Sequence, residues 1–295
     1  MSTTPFSLDS DQAYLEWRAT KLESYPRSVN QLLVQISGNS LSDEEYRQLL
    51  ALCNKANMAV YQLQHPEQVD KEFVRNLGMR LGLEHLDGNL CADDDSITSL
   101  QVMDTGRHAG YIPYTNRRLS WHTDGYYNLP EQAIRAIVMH CVRDAAEGGE
   151  NLLLDHEIAY IQLRDQNPEL IRSLMQENAM TIPPNVEDGE TLRAEQSGPV
   201  FSVDPLSQRL HMRFSARTRN IIWHDDAITR EAVACLNALL TPDNPYVFKY
   251  RLKPGEGIIC NNVLHCRSGF SDDPASGRTR LLFRARYYDR VKDEH

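Results

Sequence analysis

From about residue 98 onward the chain is cut into short β-like runs separated by turns: Thr98 to Met103, Ala133 to Val142, Asn151 to Leu154, Val200 to Val203, Arg209 to Phe214, Val247 to Leu252, Ile258 to Cys260 and Thr279 to Tyr288. Strands this short and this numerous predict a sandwich or barrel, here a jelly roll, also called a double-stranded β-helix. Helices interrupt the pattern. Pro168 after Asn167 suits the first turn of a helix over 168–177, and Thr229 is placed to cap residues 230–240. The polar stretch from Pro183 to Pro199 predicts a long loop of the kind that serves as a lid.

The first third of the chain has a different period. Ser42 followed three residues later by Glu45 is a capping-box signature, and Leu49, Leu50, Cys53 and Ala56 then fall on one helical face. Met58 to Leu63 is an apolar run that predicts a strand, and 67–83 reads as helical again. Neither an internal repeat nor a Gly-, Ser- or Pro-rich linker divides the chain. The expected fold class is therefore α+β with a mainly β core: residues 1–97 form a helical entry segment packed on the core rather than an independent domain, and 98–295 form the jelly roll.

With 41% hydrophobic and 24% charged residues, the 295-residue chain has ordinary globular usage and length enough for a substantial core. The N-terminus has no basic segment followed by an apolar one, and no apolar run reaches membrane-spanning length, so the expectation is a cytoplasmic protein. A net charge of −10 argues against nucleic acid or a membrane surface as partner and leaves room for a homo-oligomer. Six cysteines without a CxxC pair read as reduced thiols. Against the acidic background stand two arginine-rich runs, Arg209 to Arg219 and Arg278 to Arg286, which suit an anionic small molecule or internal ion pairs.

His122, Thr123 and Asp124 form an H-x-D triplet, and in extended chain residues i and i+2 point to the same side, so one metal ion can be shared there. A distant histidine would complete the two-histidine, one-carboxylate triad that leaves positions of Fe(II) open. His265, at the end of GIICNNVLH, is the candidate, and an arginine-bearing strand begins some way beyond it. That arginine matters because 2-oxoglutarate chelates iron through its keto oxygen and adjacent carboxylate, leaving a remote carboxylate for a guanidinium fork. Arg280 and Arg284 share a face on such a strand, with Leu281 and Phe283 on the other. Histidines 108, 140, 156, 211 and 224 lack a ligand set of their own and suit core or surface roles. Asn261 and Asn262 either orient His265 or close the strand's turn.

The segments YTNRRLSWHTDGYYN from Tyr114, GGENLLLD from Gly148 and NNVLHCRSGF through Phe270, with Arg280 beyond, resemble the taurine dioxygenase-like Fe(II)- and 2-oxoglutarate-dependent oxygenases, nearest the γ-butyrobetaine and trimethyllysine dioxygenase branch. The resemblance implies that His122, Asp124 and His265 bind Fe(II), that Arg280 holds the far carboxylate of the cosubstrate 2-oxoglutarate, and that dioxygen oxidises an unactivated C–H bond of a small-molecule substrate. It also implies that Asp124 excludes halogenation, for which the carboxylate would be replaced by a small residue.

Two positions depart from the family's pattern. Asn151 stands where a Ser or Thr usually shares the cosubstrate carboxylate, and an amide can still donate there. On the last core strand Arg286 stands where the branch places a cage tyrosine, so a trimethylammonium substrate is not carried over, although a one-residue bulge would restore Tyr287. Arg213 and Arg284 are candidates to clamp a substrate acid, and Tyr114, Tyr126 and Tyr127 are candidates for an aromatic wall. A small organic acid or amino-acid-like substrate satisfies both sets. The rivals are a catalytically silent metal or organic-acid sensor and a zinc hydrolase, neither of which needs the triad together with Arg280.

Overall fold

The Ser42 hydroxyl accepts a hydrogen bond from the Glu45 amide and the Glu45 carboxylate accepts one from the Ser42 amide, so the Asp43–Ala56 helix begins where its capping box predicts. Leu49, Leu50, Cys53 and Ala56 form its buried face. The computed structural model from which this is read describes residues 4–9, 11–38, 40–66, 69–88, 95–103, 111–187, 189–205 and 207–292. Cys91 and His108 lie outside the described residues. The five described cysteines are free thiols.

Two sheets carry the architecture. The larger has six strands in the order Leu33–Ile36, Met58–Leu63, Glu256–Cys260, Ala136–Arg143, Leu281–Tyr287 and Ile97–Leu100. Its first pair is parallel and the other neighbours are antiparallel. The smaller sheet is antiparallel, in the order Phe248–Tyr250, Asn151–Leu154, Leu264–Arg267 and Leu119–His122. One apolar cluster takes Val60, Ile137, Met139, Ile258 and Leu282 from the first sheet together with Trp121, Leu153 and Cys266 from the second, so the two share a core. A second cluster covers the outer face of the larger sheet with Leu49 and Cys53 of the Asp43–Ala56 helix and Val74 and Leu77 of the Lys71–Arg80 helix. There Gly78 is required for close approach, because a Cβ at that position would lie 2.4 Å from the Tyr287 hydroxyl.

Three local expectations are corrected. The helix over Ala227–Leu239 is capped by Asp226, whose carboxylate accepts from the Thr229 amide, so Thr229 lies inside the first turn. An ionised carboxylate at the N-terminus outcompetes a neutral hydroxyl three residues on. The stretch from Pro183 to Pro199 is largely paired: Asn185–Glu187 pairs with Glu190–Arg193, and Gln196–Gly198 joins the edge of Met180–Ile182. Its signal was the Asp188-Gly189 dipeptide, with Gly189 at φ +84°, and it was hidden by the lack of apolar alternation in so exposed a hairpin. The entry segment holds a further strand, Leu33–Ile36, and a further helix, Asp11–Leu22.

The last long strand settles the parity of the arginines. Leu282 packs in the inter-sheet core, while Phe283, Ala285 and Tyr287 pack toward the outer helices. Arg284 and Arg286 therefore face inward with Leu282. The irregularity in this strand's pairing lies between Leu281 and Leu282, too early to turn Tyr287 inward.

Candidate metal centre

His122 ends one strand of the smaller sheet and His265 lies directly across the ladder from it, so strand pairing alone brings the two imidazoles together, with ring centroids 4.2 Å apart. Asp124 follows two residues later. Its Oδ1 is 3.2 Å from His122 Nε2 and 3.8 Å from His265 Nε2, and one ligand atom from each residue falls within a 4.8 Å group. All three residues are buried.

The rings are oriented from behind. His122 Nδ1 lies 2.9 Å from the Ser120 carbonyl and His265 Nδ1 lies 2.9 Å from the Val263 carbonyl. A carbonyl can only accept, so each Nδ1 carries the proton and each Nε2 lone pair is free to ligate. Burial pulls the His265 pKa down to about 4, with His122 adding to the effect, which keeps this imidazole neutral as a ligand must be. Burial works to raise the Asp124 pKa but is outweighed by the Arg284 guanidinium, so the carboxylate stays ionised. Two neutral imidazoles and one carboxylate at this spacing fit Fe(II), and the second carboxylate oxygen, Asp124 Oδ2, is buried without a hydrogen bond although Arg284 Nη1 is 3.1 Å away.

Asn262, three residues before His265 in sequence, braces Asp124. Its side chain accepts from the Asp124 amide at 2.8 Å and donates to the Asp124 carbonyl at 2.9 Å and the Ile134 carbonyl at 2.6 Å. Its φ of +48° is a conformation asparagine tolerates. Asn261 instead donates to Asn57 and accepts from the Val291 amide.

Arg280 lies at a small cavity that it lines with Asn151, Gly148, Gly149, Cys141 and Leu282. Its guanidinium stands 5.1 Å from the Phe270 ring centroid, and Arg267 stands over the same ring at 4.8 Å. Gly148 sets the floor of the turn: at φ +71° a Cβ would meet the Gly269 carbonyl at 2.2 Å. Arg267 itself donates to the Thr115 carbonyl at 2.9 Å and also to the Arg117 carbonyl, which ties the loop before His122 to the His265 strand. Sequence reasoning passed over Arg267; its only signal was its position two residues past His265.

The remaining candidates divide. Tyr126 and Tyr127 stand edge to face at 5.2 Å just beyond Asp124, and Arg286 donates to the Tyr127 hydroxyl at 3.2 Å. Arg284 faces Asp124, and Arg213 is bound to the backbone carbonyls of Tyr126, Met180 and Gln196. Tyr114 is buried in the inter-sheet cluster. Of the other histidines, His140 is buried with Tyr61 and His156 donates through Nε2 to the Leu210 carbonyl, while His224 is near the surface beside Asn178.

Comparison with known proteins agrees with this geometry. Over residues 24–286 the chain matches the family model described as taurine catabolism dioxygenase TauD, TfdA family. It is 29% identical over 193 residues to a uridine-5'-phosphate dioxygenase of Amycolatopsis sp, a match covering 62% of this chain and 65% of that protein, just under two thirds of its length. It is also 29% identical over 182 residues to the mitochondrial trimethyllysine dioxygenase of Bos taurus, covering 55% of this chain and 39% of that protein. Among solved structures, the non-heme iron oxygenase OrfP, in complex with Fe, succinate and (3S)-hydroxy-L-Arg, superposes with a TM-score of 0.63 at 16% identity, covering 84% of this chain and 81% of that one. A family match over most of the chain leads to one conclusion: the chain belongs to the TauD, TfdA family of dioxygenases.

Proposed function

We propose that the protein is an Fe(II)- and 2-oxoglutarate-dependent dioxygenase that oxidises, by hydroxylation, an unactivated C–H bond of a small organic acid or amino-acid-like compound. The observation that carries this reading is the convergence of the His122, Asp124 and His265 ligand atoms in one buried cluster, with Arg280 at the neighbouring cavity. Bound iron and 2-oxoglutarate would supply dioxygen activation, in which one oxygen atom enters the substrate and the other enters succinate as carbon dioxide leaves.

The chain's own residues have separate tasks. His122 and His265 present Nε2 lone pairs, and Asp124 presents one oxygen while Arg284 steadies the other. Arg280 receives the far carboxylate of 2-oxoglutarate, and Asn151 offers an amide beside it. Arg284, Arg213, Tyr114, Tyr126 and Tyr127 surround the substrate. The two sheets are read as a double-stranded β-helix, with 1–97 as an entry segment of one domain. The proposed setting is cytoplasmic, with neither nucleic acid nor membrane as partner and with room for a homo-oligomer. No helix among the described residues is long and apolar enough to cross a membrane.

The test is aerobic incubation with Fe(II), ascorbate, 2-oxoglutarate and a pool of small acids and amino acids, read by mass spectrometry. Succinate formation with a gain of one oxygen in a pool member is expected. An absence of succinate with and without the pool would favour the silent sensor instead.

A further inference from the structure

Three arginines beside the triad have no acidic partner among the described residues. Arg213 donates through Nε to the Tyr126 carbonyl at 2.8 Å, through Nη1 to the Met180 carbonyl at 3.0 Å and through Nη2 to the Gln196 carbonyl at 2.9 Å. Arg193 donates to the carbonyls of Pro183 at 2.7 Å and Ala194 at 3.1 Å, and its guanidinium stands 5.9 Å from the Tyr127 ring centroid. Arg217 donates to the Tyr126 hydroxyl at 3.3 Å. Every one of these acceptors is neutral. Arg284 and Arg286 are instead paired with Asp124 and Asp87.

The cluster is close to the reacting end of the site by backbone connection. The segment between Arg213 and Arg217 runs against the first metal-ligand strand: the Thr123 amide donates to the Phe214 carbonyl at 2.9 Å, the Ala216 amide donates to the Trp121 carbonyl at 2.8 Å, and Ser215 is bridged to His122. Arg193 comes from the exposed hairpin and reaches the Tyr127 ring. Arg193 and Arg213 feel each other's charge, and burial together with Arg193 pulls the Arg213 pKa down to about 10.

A guanidinium has five N–H donors, and the contacts above use only part of each set. Three forked cations with spare donors and no acid suit an anion of more than one charge. A carboxylate brings one charge and two oxygens. A phosphate monoester brings about −1.5 to −2 charges near neutral pH and three strong acceptor oxygens.

We propose that Arg193, Arg213 and Arg217, gathered around Tyr126 and Tyr127, form a phosphate subsite, and that the compound oxidised at the neighbouring triad is a phosphate monoester. This rests on the oxygenase reading and narrows its organic acid to one class. It gives Arg213 a role through the phosphate rather than through a substrate carboxylate.

The test is calorimetric titration of the purified full-length protein with uridine and uridine 5'-phosphate, glycerol and glycerol 3-phosphate, serine and O-phosphoserine, and inorganic phosphate alone. At least one phosphorylated member is expected to bind about tenfold or more tightly than its unphosphorylated partner, with inorganic phosphate competing for it. The Arg193→Ala, Arg217→Ala double variant should lose about tenfold or more of that affinity, with Arg217 exposed and Arg193 half-buried on an exposed hairpin. Arg172→Ala, on the exposed face of another helix, should not. Thermal unfolding of each variant checks that the fold is retained. The proposal is overturned if no phosphorylated probe surpasses its partner, or if the gain persists in the double variant. Because binding is read without turnover, phosphate binding in a preparation that forms no succinate would sink the oxygenase reading and leave the subsite standing. Succinate formation without phosphate binding would do the reverse.

Discussion

Two regions of this molecule bury charge, and they do so in opposite ways. Behind the inter-sheet core, Lys21 of the first helix contacts Asp155 at 2.7 Å and also Glu157. Tyr25 and Asn57 donate to the two Asp155 oxygens at 3.2 and 2.9 Å, and Arg290 completes the group by bonding to Asn57. Burial works against ionisation of Glu157, but Lys21 outweighs it and pulls the carboxyl pKa down to about 2. The network closes on itself. At the metal end, Asp124 Oδ2 has no hydrogen bond and Arg280 bonds to Asp272 only through its backbone amide. The comparison teaches that buried charge alone does not mark a site. What distinguishes the metal end from the Lys21 network is a buried carboxylate oxygen left without a hydrogen bond beside two imidazoles.

The comparison breaks first at its centre. His265→Ala is expected to abolish turnover and the visible charge-transfer band formed by anaerobic Fe(II) with 2-oxoglutarate, while far-ultraviolet circular dichroism stays unchanged. A full band in this variant would remove His265 from the ligand set.

At the closed network the loss should appear in stability instead. Lys21→Met leaves two buried carboxylates short of their cation, and breaking such a pair costs about 3 to 5 kcal/mol. The urea midpoint should fall accordingly, with the 2-oxoglutarate KM of the folded fraction unchanged. A stable variant with altered KM would mean that the two regions are not separate.

Acid tests two buried histidines outside the triad. Burial lowers the His140 pKa to about 4 and the His156 pKa to about 3, and His156 Nδ1 has no partner for a second proton. In the unfolded chain each returns to about 6.5. The native state therefore binds fewer protons, so the stability these two neutral rings contribute is full above about pH 6.5 and is lost as pH falls toward their folded values. From pH 6.5 to 5 the two together forfeit at most about 4 kcal/mol, at about 1.4 kcal/mol per pH unit for each. Urea titrations across this range should show His156→Gln with a shallower pH slope than the parent. An equal slope would acquit His156.

The mildest change should separate the regions most sharply. Arg280→Ala is expected to raise the 2-oxoglutarate requirement tenfold to a hundredfold, since a charge-assisted bond contributes roughly 1.5 to 3 kcal/mol. Stability should hold or rise, because the lost group is a buried cation whose guanidinium makes no ion pair among the described residues. A fall in stability with an unchanged requirement would make Arg280 part of a closed network like that of Lys21.

Much of the site was legible because its signals are local. The parity of H-x-D, the apolar run before His265 and the alternation along the last strand each depend on backbone geometry within a few residues. The parity argument places Arg284 and Arg286 on the inner face and Tyr287 among the outer helices, as the packing of Leu282 and Phe283 requires. The helix starts at Ser42 and Pro168 were legible for the same reason, since a cap is a contact between residues two or three apart. Thr229 failed where two cap candidates competed and the charged one, Asp226, won.

By itself, then, the sequence determined the strand-rich plan, the helix starts at Ser42 and Pro168, the candidate triad and the arginine strand, because short-range sterics and periodicity act before any tertiary contact exists. Only the tertiary structure decided which charges are answered. Arg213 and Arg284 look alike as arginines on strands, yet one is held by three carbonyls and the other faces Asp124. Asn262 braces Asp124 across 138 positions of chain. No local pattern encodes such pairings: they depend on which strands meet, and in a buried environment the partner that is met sets both the charge state and the task of the side chain.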